Sequence, residues 1–234
     1  MRDPIRHFTA EFVGTYALVF IGGAAIMAAR ATGMDSGLVG IALAHGLILA
    51  VLVSATMRIS GHFNPAVTVG FLAARRIDPI MAGVYLAAQL LGAIIAAYAL
   101  KWLMPPTLAE ATRLGGQSIA AGISMTQAIG MEAIATFFLT FVIFGTAVDP
   151  KGPRIGGLAI GFTIAAGILA IGPFTGGSFN PARSFGPAVA SGIFEGQAAY
   201  WLGPMIGSIA AALLYDTLFM RHEREPVDHG PVRP

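Results

Sequence analysis

The chain has 234 residues, of which 56% are hydrophobic and only 11% charged, with a mean hydropathy of +0.74. So few charges cannot coat a soluble globule of this size, and a formal net charge of +2 scattered over short loops excludes a nucleic-acid-binding stripe. Cysteine is absent, which removes disulfides, thiolate metal sites and a cysteine nucleophile.

The first apolar run, 8–29, follows Arg2 and Arg6. It is longer than the roughly 7–15 residues of a signal-peptide core and carries Glu11, so it is predicted to be a retained membrane helix. Further runs at 38–57, 80–102, 127–148, 156–172 and 198–220 are also long enough to cross about 30 Å of hydrocarbon, the fifth being short and predicted to end at Pro173. Two other apolar stretches, 64–74 and 180–190, are about half that length and are predicted to enter the bilayer without crossing it. They begin at Asn64-Pro65-Ala66 and Asn180-Pro181-Ala182, each in a matching frame, Gly-His-Phe-Asn-Pro-Ala and Gly-Ser-Phe-Asn-Pro-Ala. Asn is a strong helix N-cap and Pro suits the first helical position, so each triplet reads as a helix start entered from a glycine-rich turn.

The two halves match beyond the triplets. Glu11 with Thr15 opens the first as Glu132 with Thr136 opens the second, and Tyr85 and Gly92 correspond to Tyr200 and Gly207. An odd number of spans in each half forces the copies into opposite orientations. The predicted fold is therefore an all-α membrane protein of six transmembrane helices plus two re-entrant half-helices in an inverted 3+3 repeat, with the half-helices meeting head to head. A single channel domain is expected over 1–220, with repeats at about 8–102 and 127–220, followed by a tail at 221–234. Arg2, Arg6, Arg58, Arg75, Arg76, Lys151, Arg154, Arg221, Arg224 and Arg233 fall on one predicted side, against Arg30, Lys101 and Arg113 on the other. The positive-inside rule then places both termini and the tail in the cytoplasm, and a plasma (inner) membrane is the expected location.

Paired Asn-Pro-Ala boxes, the second continuing as Asn180-Pro181-Ala182-Arg183-Ser184, with paired Glu11 and Glu132 and six spans, resemble the aquaporin or major intrinsic protein family over about residues 8–220. The stretch from Gly172 through Gly192 is most similar to the plant vacuolar, tonoplast-type branch. The resemblance implies a homotetramer with one pore per subunit, conducting water and small neutral solutes in contact with membrane lipid, with no cofactor, metal or enzymatic activity. It also assigns an outer selectivity filter to His45, Ile168, Gly177 and Arg183, and a loop-supporting role to Glu11 and Glu132.

Two helix N-termini facing one another concentrate unpaired N–H donors and about half a positive charge each. A water between them is expected to accept from the side-chain amides of Asn64 and Asn180, so that its hydrogens point to opposite mouths and protons and cations are refused. Carbonyls of Gly61, His62, Phe63, Gly176 and Ser178 are expected to form polar rungs, since irregular backbone at membrane depth must face a cavity or a protein partner. Strictly water-selective relatives usually carry an aromatic where His45 sits and a histidine where Ile168 sits; with Gly177 lacking a side chain and Ile168 a hydrogen-bonding group, the resemblance implies a wider filter, with His45 and Arg183 as donors on the other wall. The combination is similar to channels that pass ammonia as well as water, although those relatives usually carry a loop histidine where this chain has Gln117. Ser184, Ala188 and Tyr200-Trp201 match the water-channel pattern and disfavour glycerol as the main solute. Alternatives remain: a broader pore for urea, hydrogen peroxide or glycerol, or a proton-coupled carrier using the intramembrane acids Glu11 and Glu132. His45 and Arg183 also admit purely structural readings, and Asp216 has no evident task.

Overall fold

A computed structural model describes residues 3–33 and 37–220. Arg2, Arg221, Arg224, Arg233 and the whole expected tail lie outside the described residues. Nine α-helices and no strands occur among the described residues: α1 Pro4–Thr32, α2 Gly37–Thr56, α3 Pro65–Ala73, α4 Pro79–Leu103, α5 Pro106–Ala111, α6 Met125–Ile143, α7 Gly156–Thr175, α8 Pro181–Ser191 and α9 Gln197–Tyr215. Single π-helical turns extend α6 to Val148 and α9 to Met220. Six helices are long and apolar enough to cross a membrane, namely α1, α2, α4, α6 with its extension, α7, and α9 with its extension.

Helix boundaries follow local chemistry. Asp3 caps α1, Asp78 caps α4, and Ser124 with Gln127 forms a reciprocal capping box at α6. The spans then pack as two equivalent sets, with α1 against α4, α6 against α9, and α2 against α7 across the join. Glycine makes the closest crossings possible: a Cβ on Gly92 would stand 2.6 Å from the Phe12 carbonyl oxygen, and one on Gly207 would stand 2.8 Å from the Ala133 carbonyl carbon. In lipid, such close backbone approach replaces the hydrophobic effect as the source of helix association.

One feature differs from the sequence expectation, and a second is one on which the sequence reading is silent. The fifth span does not stop at Pro173 but continues to Thr175. The Gly176 N–H reaches back to the Gly172 carbonyl at 2.9 Å, spanning the proline that cannot donate. Thr175 itself is fixed by tertiary bonds: its carbonyl accepts from the Tyr200 hydroxyl at 2.9 Å, and its own hydroxyl donates to Glu132 at 2.7 Å. Secondly, the connection between the third and fourth spans is folded, with α5 and a 3₁₀ turn at Arg113–Gly115. Ala109 and Leu114 bury against Met27, Leu100 and Ala190, and the following loop bonds to α7 through Ala120 N–H and the Phe174 carbonyl at 2.9 Å.

Asp216, which has no evident task in the sequence, is buried at the end of α9 and paired with Arg76. The Arg76 Nε donates to its carboxylate at 2.8 Å, and Nη2 contacts the same oxygen. At the opposite end of the bundle, Lys101 Nζ donates to the Ala190 carbonyl at 2.7 Å, where a cation suits the C-terminus of α8.

Candidate functional site

The short helices α3 and α8 begin where the triplets predict. Asn64 Oδ1 accepts from Ala66 N–H at 2.9 Å, and Asn180 Oδ1 accepts from Ala182 and Arg183 N–H at 3.0 and 3.3 Å. Pro65 and Pro181 occupy the first helical position, where no N–H is required.

Both asparagines also bind across the junction. Asn64 Nδ2 donates to the Phe179 carbonyl at 2.8 Å, and Asn180 Nδ2 donates to the Phe63 carbonyl at 2.7 Å. Each half-helix thus holds the loop that delivers the other. An amide nitrogen has two hydrogens, and this exchange uses one from each residue. Both asparagines line the central cavity.

The loops reach this position through a rare backbone conformation. Phe63 and Phe179 have φ of 49° and 57°, in the left-handed region that disfavours side chains with a Cβ. Surrounding contacts must hold such a conformation in place, and buried carboxylates supply them. Glu11, fully buried, accepts from Ser60 Oγ at 2.7 Å, from the His62 and Phe63 N–H groups at 2.8 and 2.7 Å, and from Gln89 Nε2 at 2.7 Å. Glu132, also fully buried, accepts from Thr175 Oγ1 at 2.7 Å and from the Ser178 and Phe179 N–H groups at 2.9 and 2.7 Å. Ser60, Gln89 and Thr175 were not legible as partners in the sequence; they come from loop, α4 and α7 positions with no shared motif.

The central cavity is narrow, about 20 Å³, and opens on the N-terminal side to a vestibule of about 430 Å³. A cavity of the first size accepts about one water. The narrow part is lined by apolar side chains such as Leu18, Leu49, Ile160 and Ile164 and by the half-helix loops at Gly61, His62, Phe63, Ser178 and Phe179. Phe179 was not among the sequence candidates, yet its identity with Phe63 in the paired frames is the signal that finds it. Gly176, expected as a rung, does not line this cavity: it forms the left-handed cap of α7 at φ 79° and packs under Gln117.

The four outer residues come together. His45, Ile168 and Arg183 line the cavity. Gly177 lies beside Ile168, where a Cβ would stand 3.4 Å from Ile168 Cα, and its φ of 58° is strained for any other residue. The Gly177 carbonyl accepts from Arg183 Nη1 at 3.0 Å. Gln117 is buried at the same place; with its amide oxygen turned to the guanidinium, it accepts from Arg183 Nη1 and Nη2.

His45 requires a correction to the sequence reading, which made it a donor. Its Nδ1 lies 2.8 Å from the Ile41 carbonyl, an atom that can only accept, so Nδ1 carries the hydrogen and is spent on its own helix. The neutral ring therefore offers Nε2 as an acceptor. That edge packs against Gly22 of α1, where a Cβ would come within 2.6 Å of the ring carbon Cδ2.

Comparison with known proteins places this geometry in a family. Residues 2–215 match the family described as Major intrinsic protein. The chain is 46% identical over 225 residues to Aquaporin TIP2-1 of Arabidopsis thaliana, covering 92% of this chain and 88% of that protein. It is 41% identical over 235 residues to Aquaporin TIP4-4 of Zea mays, covering 96% and 92%. A structural match is the aquaglyceroporin from Plasmodium falciparum, with a TM-score of 0.78 and 28% identity, covering 93% of this chain and 98% of that one. The relatives are tonoplast types, so the expected plasma-membrane location has no support. Six apolar spans, paired half-helices and these matches make the chain an integral, multi-pass member of the aquaporin or major intrinsic protein family, a family of channels and not of enzymes.

Proposed function

We propose that this chain is a passive water channel that refuses protons and cations, and that ammonia is a second solute. The observation that carries the reading is the crossed pair Asn64 to Phe179 and Asn180 to Phe63. It leaves one amide hydrogen on each asparagine for a solute, at the point where two helix N-termini oppose each other. A water accepting both hydrogens presents its own hydrogens outward, which breaks the chain along which a proton would hop; this is the general account of aquaporin-type selectivity, applied here to the residues of this chain. The apolar side chains of the lining, such as Leu49 and Ile164, offer passing water no hydrogen bond.

His45, Ile168, Gly177 and Arg183 form the filter in this reading, with Gln117 holding the guanidinium. Arg183 supplies fixed positive charge, while Ile168 and the bare Gly177 supply width without hydrogen bonding. Ammonia, small and neutral, suits such an opening. The same wall favours a second reading, a broader pore that also passes urea, peroxide or glycerol. A proton-coupled carrier is disfavoured, because both oxygens of Glu11 and of Glu132 are already occupied by fixed donors from the half-helix loops. That occupation supports a holding role for these acids.

The channel unit is proposed to span 1–220 as two inverted repeats, with both termini cytoplasmic and four copies assembled in the membrane. Paired stopped-flow light scattering and internal-pH fluorescence on the same proteoliposomes test the function. Fast water efflux with fast alkalinisation by ammonia is expected; fast water efflux alone removes ammonia, and urea flux above protein-free vesicles favours the broader pore.

A further inference from the structure

The His45 ring is tied at one end to its own helix and rests at the other on α1. Its Nδ1 donates to the Ile41 carbonyl at 2.8 Å, one turn earlier. The Nε2 end leans on Gly22, where a Cβ would overlap Nε2 outright and would stand 2.6 Å from Cδ2 and 2.8 Å from Cε1. The ring is buried and lines the narrow cavity. Gly22 stands behind it, outside the lining.

We propose that Gly22 is a positioning residue that sets the aperture of the filter: its bare Cα is the slot into which the His45 ring leans back, and a side chain there drives the ring into the lumen. The inference rests on the channel reading above, with His45 in the filter. Carbon atoms in ordinary contact sit about 3.5–4.0 Å apart, so a methyl group on Gly22 forces the ring to retreat by about 1 Å. The narrow cavity has room for about one water. A shift of that size therefore takes up a large part of the width that a solute needs.

Neither helix can step back in place of the ring. Behind α2, Gly46 lies against α7, where its Cβ would stand 2.6 Å from the Gly161 carbonyl oxygen and 2.9 Å from Ala165 Cβ. Behind α1, the adjacent Gly23 faces the Leu100 side chain and the Leu114 backbone, with a Cβ 3.2 Å from the Leu114 carbonyl oxygen. The cavity is the space left for the ring to enter. Comparison of the two repeats points the same way. Glycine inside a helix is less favourable than alanine, so each one calls for a reason. Gly92 and Gly207 share theirs, a close helix crossing that recurs in both halves. Gly22 has no such counterpart: counted from Glu132 as Gly22 is counted from Glu11, the matching residue is Ile143, which lines the cavity itself. The requirement for a bare Cα at Gly22 is thus local, and the group that imposes it is the His45 ring.

A double-mutant cycle tests this. Water flux per reconstituted protein is measured by stopped-flow light scattering in proteoliposomes of the parent, Gly22→Ala, His45→Ala and the double variant Gly22→Ala/His45→Ala. Parent flux above protein-free vesicles establishes the channel by itself, and its absence would overturn the channel reading, a result distinct from those that follow. Gly22→Ala is expected to lower water flux several-fold. With the ring removed the added methyl group meets nothing, so the double variant is expected to match His45→Ala, a coupling that general damage to helix packing would not produce. The comparison of these last two decides the matter even where Gly22→Ala alone fails to fold. Gly22→Ala flux equal to the parent's, or a double variant several-fold below His45→Ala, overturns the proposal.

Discussion

Glu11 and Glu132 do the same thing in the two halves, yet the half-helices they hold face the lumen with different chemistry. On the first side the carboxylate takes four donors, including Gln89 from α4, and the loop presents a histidine ring packed among aromatics. On the second it takes three, and α8 carries a buried arginine fixed by a backbone carbonyl and by Gln117. The shared part is what the backbone demands: two N–H groups next to a strained phenylalanine need an acceptor in either half. In the proposed channel, the divergent part is what faces the solute. The two halves thus share the holding chemistry and differ in what their half-helices carry, a histidine ring packed among aromatics in the first and a buried arginine in the second.

Replacing either acid breaks the shared part. In Glu11→Gln and Glu132→Gln the new amide nitrogen faces at least one backbone donor, leaving buried groups unpaired at a cost of about 3 kcal/mol. Both variants are expected to lose most water flux in proteoliposomes and to melt at lower temperature in detergent. Full flux in Glu132→Gln would mean that the α8 loop is held by something else.

The divergent part is sharpened by Arg183→Val, which removes the fixed charge and shortens the side chain at the proposed filter. Water flux is expected to persist while urea entry rises several-fold and cation exclusion weakens; unchanged selectivity would relocate the filter. Gln117→Ala, which frees the guanidinium without removing it, is expected to shift urea entry in the same direction by less, on the order of twofold, in the same assay. The smallest effect expected is none. A chain without cysteine offers mercurials no thiolate, and stopped-flow water flux in the presence of mercuric chloride is expected to match the untreated rate.

The fold was legible because its strongest signals are periodic or repeated: six apolar runs of spanning length, and triplets whose asparagine and proline act locally as cap and first helical residue. Glu11 and Glu132 were legible for the same reason, as acids that lipid does not tolerate without a purpose. What escaped lies in long-range pairing. Gln117 sits in a loop whose folding depends on burying Ala109 and Leu114, and nothing local announces that it reaches Arg183. The donor assigned to His45 from its residue type is consumed by Ile41, one turn earlier in the same helix, which only coordinates reveal. Pro173 reads as a helix end, and tertiary bonds to Thr175 overrule it.

The central claim is that water crosses and charge does not, and it is tested most directly by measuring both in one preparation. Proteoliposomes carrying an imposed potential and an internal pH dye are assayed for osmotic water efflux and for proton entry. The crossed Asn64 and Asn180 pair requires water flux far above protein-free vesicles with proton entry no faster than theirs. Proton entry that rises in proportion to the protein reconstituted would contradict it.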